Sequence, residues 1–232
     1  LATEGTELPP VSRILDFGCG CGRVIRYLSH VFPDREFVGT DIDAEAIRWS
    51  RNYLAHLGTF QVNGTWPPLD HPDESFDLVI ANSVFTHLPE DMQFAWLKEL
   101  RRVTRNGGYL LLTVHGPDVY ETFDSARRAA ENRNWESIRP KIWSRLREFA
   151  NAVGQRLHLT HSIDRDARQF KRRGFFYWRM GVETAGLPDF YQTSFHAEHY
   201  IRDRWSPFFE IRRIVSKGMA HNQDLVLCRR RD

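Results

Sequence analysis

One stretch carries most of the residues able to do chemistry: Ile14 to Arg23, ILDFGCGCGR, in which Asp16 precedes three alternate glycines, Gly18, Gly20 and Gly22. Glycine reaches backbone conformations closed to other residues and lets a ligand approach the main chain. The apolar pair Ile14-Leu15 leads into the turn, and Val24, Ile25 and Leu28 follow it at helical spacing. The pattern predicts strand, glycine turn, helix, with free N–H groups at the helix start facing whatever occupies the turn. Further along, His87 falls in the loop after a predicted strand and His115 ends another. Imidazole titrates where it can take a proton from a hydroxyl, so these two are the candidate bases.

Alternating elements must position these residues. A strand over Glu36 to Thr40 stops at Asp41, and Asp43 can cap the next helix with Glu45 in its first turn. That helix buries Ile47, Leu54 and Leu57 and ends near Gly58. A third strand, Phe60 to Val62, runs into Asn63-Gly64, and the proline-rich TWPPLDHPDES reads as loop. Phe76 to Ala81 is nearly all apolar, the pattern of a strand covered on both faces. A helix starting with Pro89 in its first turn buries Met92, Trp96, Leu100 and Val103 and is ended by Asn106-Gly107-Gly108. Tyr109 to Val114 is the fifth strand. Strands alternating with helices predict a parallel, doubly wound sheet with right-handed crossovers.

The alternation then breaks. Helical spacing over Asp118 to Asn132 and Pro140 to Val153, followed by the aromatic strand Phe175 to Trp178, marks 116–191 as an inserted, largely helical cap. A helix over Ala197 to Trp205 returns to the core, and Phe208 to Val215 with Asp224 to Cys228 form a terminal antiparallel pair.

The glycine spacing separates two kinds of nucleotide turn. The dinucleotide fingerprint needs a third small residue where this chain has Arg23, which argues against a nucleotide-dependent oxidoreductase. With Asp16 two positions before Gly18, the chain instead resembles the seven-stranded, class I S-adenosylmethionine-dependent methyltransferases, whose first motif is (D/E)-x-G-x-G-x-G. The later motifs arrive in order, so the resemblance covers most of the chain. It implies an α/β fold, a doubly wound and mostly parallel seven-stranded Rossmann-like sheet, in a single methyltransferase domain over 1–232. It implies S-adenosylmethionine as cofactor, with Asp16, Gly18, Cys19 and Gly20 in the donor turn, Cys19 through its backbone N–H. Asp41 would hold the ribose hydroxyls, a task suited to a group that accepts two hydrogen bonds at once. Ile42 would pack on the adenine, Asn63 and Gly64 would form the adenine-binding turn, and Asn82 and Ser83 would border the methionine part of the donor. A catalytically silent domain that only binds the donor would share all these motifs.

The acceptor side rests on fewer residues. His87 is the candidate catalytic base, with capping or packing at the following helix as its plain alternative. Tyr191, His196 and Tyr200 flank the return from the cap and would line an acceptor pocket. SVFTHL and the run YIRDRWSPFFEIRRIVSKGMAHNQDLVL resemble methyltransferases associated with glycosyltransferases and surface-polysaccharide synthesis. That implies O-methylation of a sugar or other small hydroxylated acceptor, with a fused or associated glycosyltransferase as partner. The motif of enzymes that methylate amino groups of DNA bases is absent, since Asn82-Ser83-Val84-Phe85 stands in its place. His158 with His161, and His196 with His199, have metal-like spacing but no acidic or cysteine partner nearby, so no metal is expected.

Bulk properties agree. The 232 residues are 41% hydrophobic and 27% charged, with a net charge of +2, too small to argue for nucleic acid. No apolar run approaches the roughly 20 residues that span a bilayer. Cys19, Cys21 and Cys228 form no disulfide framework, which predicts a reducing, cytoplasmic setting. The start lacks a secretory head and an initiator Met, so a piece of a longer chain is expected.

Overall fold

The strand runs of the sequence alternate between two cores. In β1 (Arg13–Phe17) Ile14 faces one side while Leu15 and Phe17 face the other. Period-2 alternation of this kind obliges both faces to be covered. The computed structural model describes residues 12–131, 163–179 and 188–231. Within them β1 is followed by α1 (Arg23–Val31), β2 (Glu36–Asp41), α2 (Ala44–Tyr53), β3 (Thr59–Val62), β4 (Phe76–Ala81), α3 (Glu90–Val103) and β5 (Thr104–Val114). Then come α4 (Pro117–Glu131), α5 (Ile163–Arg173), β6 (Phe175–Trp178), β7 (Thr193–His196), α6 (Glu198–Trp205), β8 (Glu210–Met219) and β9 (Gln223–Arg229).

The main sheet has seven strands in the order β3-β2-β1-β4-β5-β9-β8. Strands β1 to β5 pair in parallel, while β9 runs antiparallel to both β5 and β8. The doubly wound, mostly parallel sheet is therefore as expected, and its strand order reverses between β1 and β4. In such sheets ligands bind at the carboxyl ends of the strands beside that reversal. One core packs Leu15, Phe17, Val79 and Leu112 against Trp96 of α3 and Trp205 of α6. The other packs Ile14, Phe37 and Ile80 against Ile25 of α1 and Ile47 of α2. Each such side chain fully removed from water contributes roughly 1.5–3 kcal/mol.

Several boundaries differ from the sequence reading, each for a local reason. Helix α2 ends at Tyr53, because the Leu54 N–H closes the last turn on the Ser50 carbonyl, although Leu54 stays buried. Pro89 is the extended residue before α3 rather than part of its first turn. Helix α3 stops at Val103, and Asn106-Gly107-Gly108 lies within β5, where a register shift separates the pairs Phe76↔Thr104 and Leu78↔Tyr109. Gly107 takes a positive φ of 75° there, so the glycines serve an irregular strand and not a helix end. Strand β8 starts at Glu210, since the N–H groups of Phe208 and Phe209 bond the Trp205 carbonyl and prolong the end of α6.

After β5, within and just beyond the stretch expected to form a cap, α4 and α5 pack with β6, which pairs with the unanticipated β7 in a two-stranded antiparallel sheet. Tyr120, Phe123, Phe170, Phe176 and Phe195 form its core. Arg127 and Asp166, both buried, pair at 2.6 Å between the two helices. Strand β7 joins the end of β5 through a bridge between Phe195 and His115. The predicted helix Pro140 to Val153 and the pair His158 and His161 lie outside the described residues. Among the described residues no helix is long and apolar enough to cross a membrane, and no three His, Cys, Asp or Glu gather as metal ligands.

Candidate functional site

The turn after β1 is shaped by its glycines. The N–H groups of Gly18 and Cys19 both donate to the Thr40 carbonyl, at 2.7 and 3.0 Å, which ties the turn to the end of β2. Gly18 has φ +78°, and a Cβ there would lie 2.3 Å from Val84 Cγ2. Gly20, at φ +51°, has nothing within 4 Å of the same position, so its missing side chain leaves open space. Strand and helix thus converge on a surface of bare backbone.

Asp41 closes that surface. Its Oδ2 accepts from Gly20 N–H at 2.7 Å and its Oδ1 from Asp43 N–H at 2.8 Å. A carboxylate has about four lone-pair sites, so each oxygen keeps one for a ligand. Asp43 caps α2 as the sequence suggests, accepting from the N–H groups of Glu45 and Ala46. The Asn63 N–H bonds the Asp41 carbonyl at 3.0 Å, and its side-chain amide donates to the Gly64 carbonyl at 2.7 Å. Asn63 Oδ1 is buried with no partner, an acceptor awaiting a donor.

A cavity of about 390 Å³ opens over these groups, lined by Gly18, Cys19, Gly20, Asp41, Ile42, Asn63, Asn82 and Ser83, with Phe190 and Tyr191 on its other side. Asp16 and Gly64 do not line it. Asp16 lies beneath the turn, 1% exposed, with both carboxyl oxygens unpartnered. Burial first, and the nearby Asp41 charge second, push its pKa up to about 7. Cys19 lines the cavity, but its N–H is spent on Thr40 and does not face a ligand as expected. Burial holds its thiol protonated.

The loop after β4 is braced by two strands that the sequence did not connect to it. Ser83 has φ 60° and donates its N–H to Thr113 Oγ1 of β5 at 2.7 Å. Its hydroxyl pairs with the side-chain amide of Gln223 in β9, at 2.9 and 3.1 Å. The Thr113 hydroxyl in turn reaches Asn82 Oδ1 at 3.5 Å.

His87 occupies the same loop but does not line the cavity. Its Nδ1 lies 2.6 Å from the Gln192 carbonyl, and its ring stacks on Tyr191 at 4.1 Å and 17°. Burial lowers its pKa, against the opposing effect of the Gln192 bond. His115 lies 6.2 Å further on and is pushed down to about 4, chiefly by burial and then by His87. His196 and Tyr200, expected along an acceptor pocket, are packing residues: His196 Nε2 meets Gln93 Oε1 at 2.9 Å, and the Tyr200 hydroxyl donates to Glu90 at 2.9 Å. Phe190 was missed, being one apolar residue in an irregular segment. Thr113 and Gln223 were missed because their contacts with Ser83 span 30 and 140 residues of chain.

Residues 15–110 match the family described as "Methyltransferase domain". The chain is 35% identical over 105 residues to a fatty-acid O-methyltransferase of Mycolicibacterium smegmatis, covering 45% of this chain and 38% of that one. It is 27% identical over 113 residues to a malonyl-[acyl-carrier protein] O-methyltransferase of a Paenibacillus species, covering 47% and 40%. The chain thus spans well under half the length of these relatives. A solved S-adenosylmethionine-dependent methyltransferase from Mesorhizobium loti superposes with a TM-score of 0.58 at 16% identity, covering 97% of this chain and 93% of that one, a likeness of fold.

Proposed function

We propose, from the premise that residues 15–110 match a methyltransferase-domain family on a Rossmann-like, doubly wound sheet, that the chain transfers a methyl group from S-adenosylmethionine to an oxygen of a small acceptor. The observation that carries this reading is the Asp41 carboxylate at the end of β2, bonded to the bare Gly20 backbone and still able to accept two hydrogen bonds from the cavity. That is the chemistry a vicinal diol requires. The unpartnered Asn63 Oδ1 suits an exocyclic amine, and Ile42 offers an apolar surface beside it. Asn82 and Ser83, held by Thr113 and Gln223, form the opposite wall, where the amino-acid end of the donor belongs. The buried, unpartnered Asp16 adds negative charge under the turn, which favours a cationic ligand.

When bound, the donor supplies an electrophilic methyl group on a positively charged sulfur. The chain's part is to align the acceptor oxygen with that methyl and keep water out. For a hydroxylated acceptor a base must also take the proton. His87 is the candidate for that role: its Nδ1–H is committed to the Gln192 carbonyl, which leaves Nε2 as the accepting nitrogen. Since its ring sits behind Tyr191 and outside the cavity lining, it would take the proton through a bridging water. A carboxylate acceptor is already ionised and needs no base. The motif resemblance favours a sugar or other small hydroxylated acceptor, with a fused or associated glycosyltransferase and a cytoplasmic setting. The names of the fatty-acid and malonyl relatives favour a carboxylate.

Calorimetry with S-adenosylhomocysteine and with NAD tests the donor. Binding of the first alone is expected; binding of neither would end the reading. Turnover of labelled donor with hydroxylated and carboxylated acceptors then identifies the class.

A further inference from the structure

We propose that Tyr191 is a donor-discriminating residue, its ring presenting a π face to the positively charged sulfur of the donor so that the charged donor binds better than its neutral thioether product. The proposal rests on the methyltransferase reading and assigns a role that no motif of the chain carries.

The segment from Pro188 to Gln192 is built as a strap. Tyr191 N–H donates to the Pro188 carbonyl at 2.8 Å, and Gln192 N–H donates to the His87 carbonyl at 3.2 Å. His87 Nδ1–H returns a bond to the Gln192 carbonyl at 2.6 Å, so the strap and the loop after β4 hold each other from both sides. A third anchor is the Tyr177 hydroxyl of β6, donating to the Phe190 carbonyl at 2.6 Å. These four bonds fix the backbone on either side of Tyr191, and the stack on His87 holds its ring at the cavity wall.

The orientation of the ring follows from its neighbours. His87 covers one face at 4.1 Å and does not itself reach the cavity. What Tyr191 shows the cavity is therefore its other face and its hydroxyl edge. That edge is within the field of Asp41: burial raises the phenol's pKa first, and the Asp41 charge raises it further. Tyr191 thus stays a neutral phenol, reaching from the His87 side of the loop towards the carboxylate that suits the ribose. Between those two points lies the part of the cavity where a ligand joining ribose to an amino-acid tail must place its sulfur.

A ring at that place distinguishes charge states. An aromatic face attracts a ligand cation more strongly than it attracts a neutral thioether, and the difference amounts to at most about thirtyfold in affinity. The imidazole stacked behind it is neutral at pH 7, because burial lowers its pKa, so no competing positive charge opposes the cation from the far face. The consequence for turnover is that the contact weakens as the charge leaves the sulfur.

The test is titration calorimetry of the full chain with S-adenosylmethionine and with S-adenosylhomocysteine, comparing Tyr191→Phe, Tyr191→Leu and Tyr191→Met. Tyr191→Phe is expected to keep the wild-type ratio of the two affinities. Tyr191→Leu and Tyr191→Met, which differ in shape so that one survives if the other folds poorly, are expected to lower that ratio by about two- to thirtyfold. If both ligands weaken equally, or neither changes, Tyr191 is only a wall and the proposal fails while the methyltransferase reading stands. If the wild-type chain binds neither ligand, both fail together.

Discussion

The Nδ1 of His87 lies 2.6 Å from the carbonyl oxygen of Gln192, and a carbonyl can only accept, so the ring's proton sits on Nδ1 and its lone pair on Nε2. One hydrogen bond thus sets the tautomer that a base needs. His87→Phe keeps a ring to stack on Tyr191 and removes the base. With a hydroxylated acceptor its turnover is expected to fall about 10²–10⁴-fold, and with a carboxylate acceptor far less. The wild-type pH profile should lose activity as His87 gains its proton. Because burial lowers that pKa, the acid limb falls below the ordinary histidine range. Rate measurements on both acceptor classes check the two statements together.

On the proposed reading, donor binding depends on Asp41. A hydrogen bond to a charged group contributes roughly 1.5–3 kcal/mol, so Asp41→Ala is expected to weaken S-adenosylhomocysteine by about ten- to more than a hundredfold. Asp41→Asn keeps one accepting oxygen and should lose less. Calorimetry on both variants gives the order, and equal affinity in wild type and Asp41→Ala would remove the carboxylate from the donor site.

Asp16 couples the site to pH. Its folded pKa, about 7, lies above the ordinary aspartate value. Between about pH 4 and 7 the folded chain holds a proton that the unfolded chain has released, so this group's contribution to stability falls as pH rises through that window. Thermal midpoints of the ligand-free protein should show the decline, and Asp16→Asn should flatten it. A cationic donor favours the ionised carboxylate, so its affinity should climb from pH 6 to 8, by no more than about tenfold per unit. Affinity flat with pH in the wild type would contradict this.

The two glycines of the turn should fail differently. Gly18→Ala places a Cβ 2.3 Å from Val84 Cγ2 in a left-handed backbone, and strain of order 1–3 kcal/mol from the dihedral alone adds to that clash. Gly20→Ala meets no atom, so its added methyl intrudes on open space where the ligand approaches. A larger fall in melting temperature is expected for Gly18→Ala, with donor affinity weakened in both.

The buried pair Arg127 and Asp166 offers a check on the packing of α4 against α5. Removing one partner of a buried ion pair costs about 3–5 kcal/mol, because the other charge is left uncompensated. Arg127→Met should therefore destabilise more than the double change Arg127→Met with Asp166→Leu. Denaturant unfolding of the single and double variants measures the difference.

The turn and strand end that form the candidate donor half of the site were legible because they are local. Asp16 to Gly22 form one turn, and Asp41 is fixed by a strand end that hydrophobic patterning locates to within a residue. The sheet was legible for the same reason, each strand being announced by its own apolar run. What escaped was set by distant partners. Gln223 looks like an ordinary strand residue until β9 pairs beside β5, and β7, four residues long, has too little pattern to announce itself. Asn106-Gly107-Gly108 reads as a helix stop on composition, yet pairing with β4 draws that stretch into an irregular strand. His196 and Tyr200 have the residue types of an acceptor pocket, but Gln93 and Glu90 satisfy them internally.

The pairing of Ser83 with Gln223 sets an order of events during synthesis. Ser83 lines the cavity and Gln223 lies 140 residues further along. The glycine turn and Asp41 can meet as soon as β1 and β2 have left the ribosome, whereas the wall opposite them is braced only after almost the whole described chain has emerged. A nascent chain can therefore bring the glycine turn and Asp41 together long before the loop at Ser83 is fixed, and β9 acts as the latch that completes the cavity.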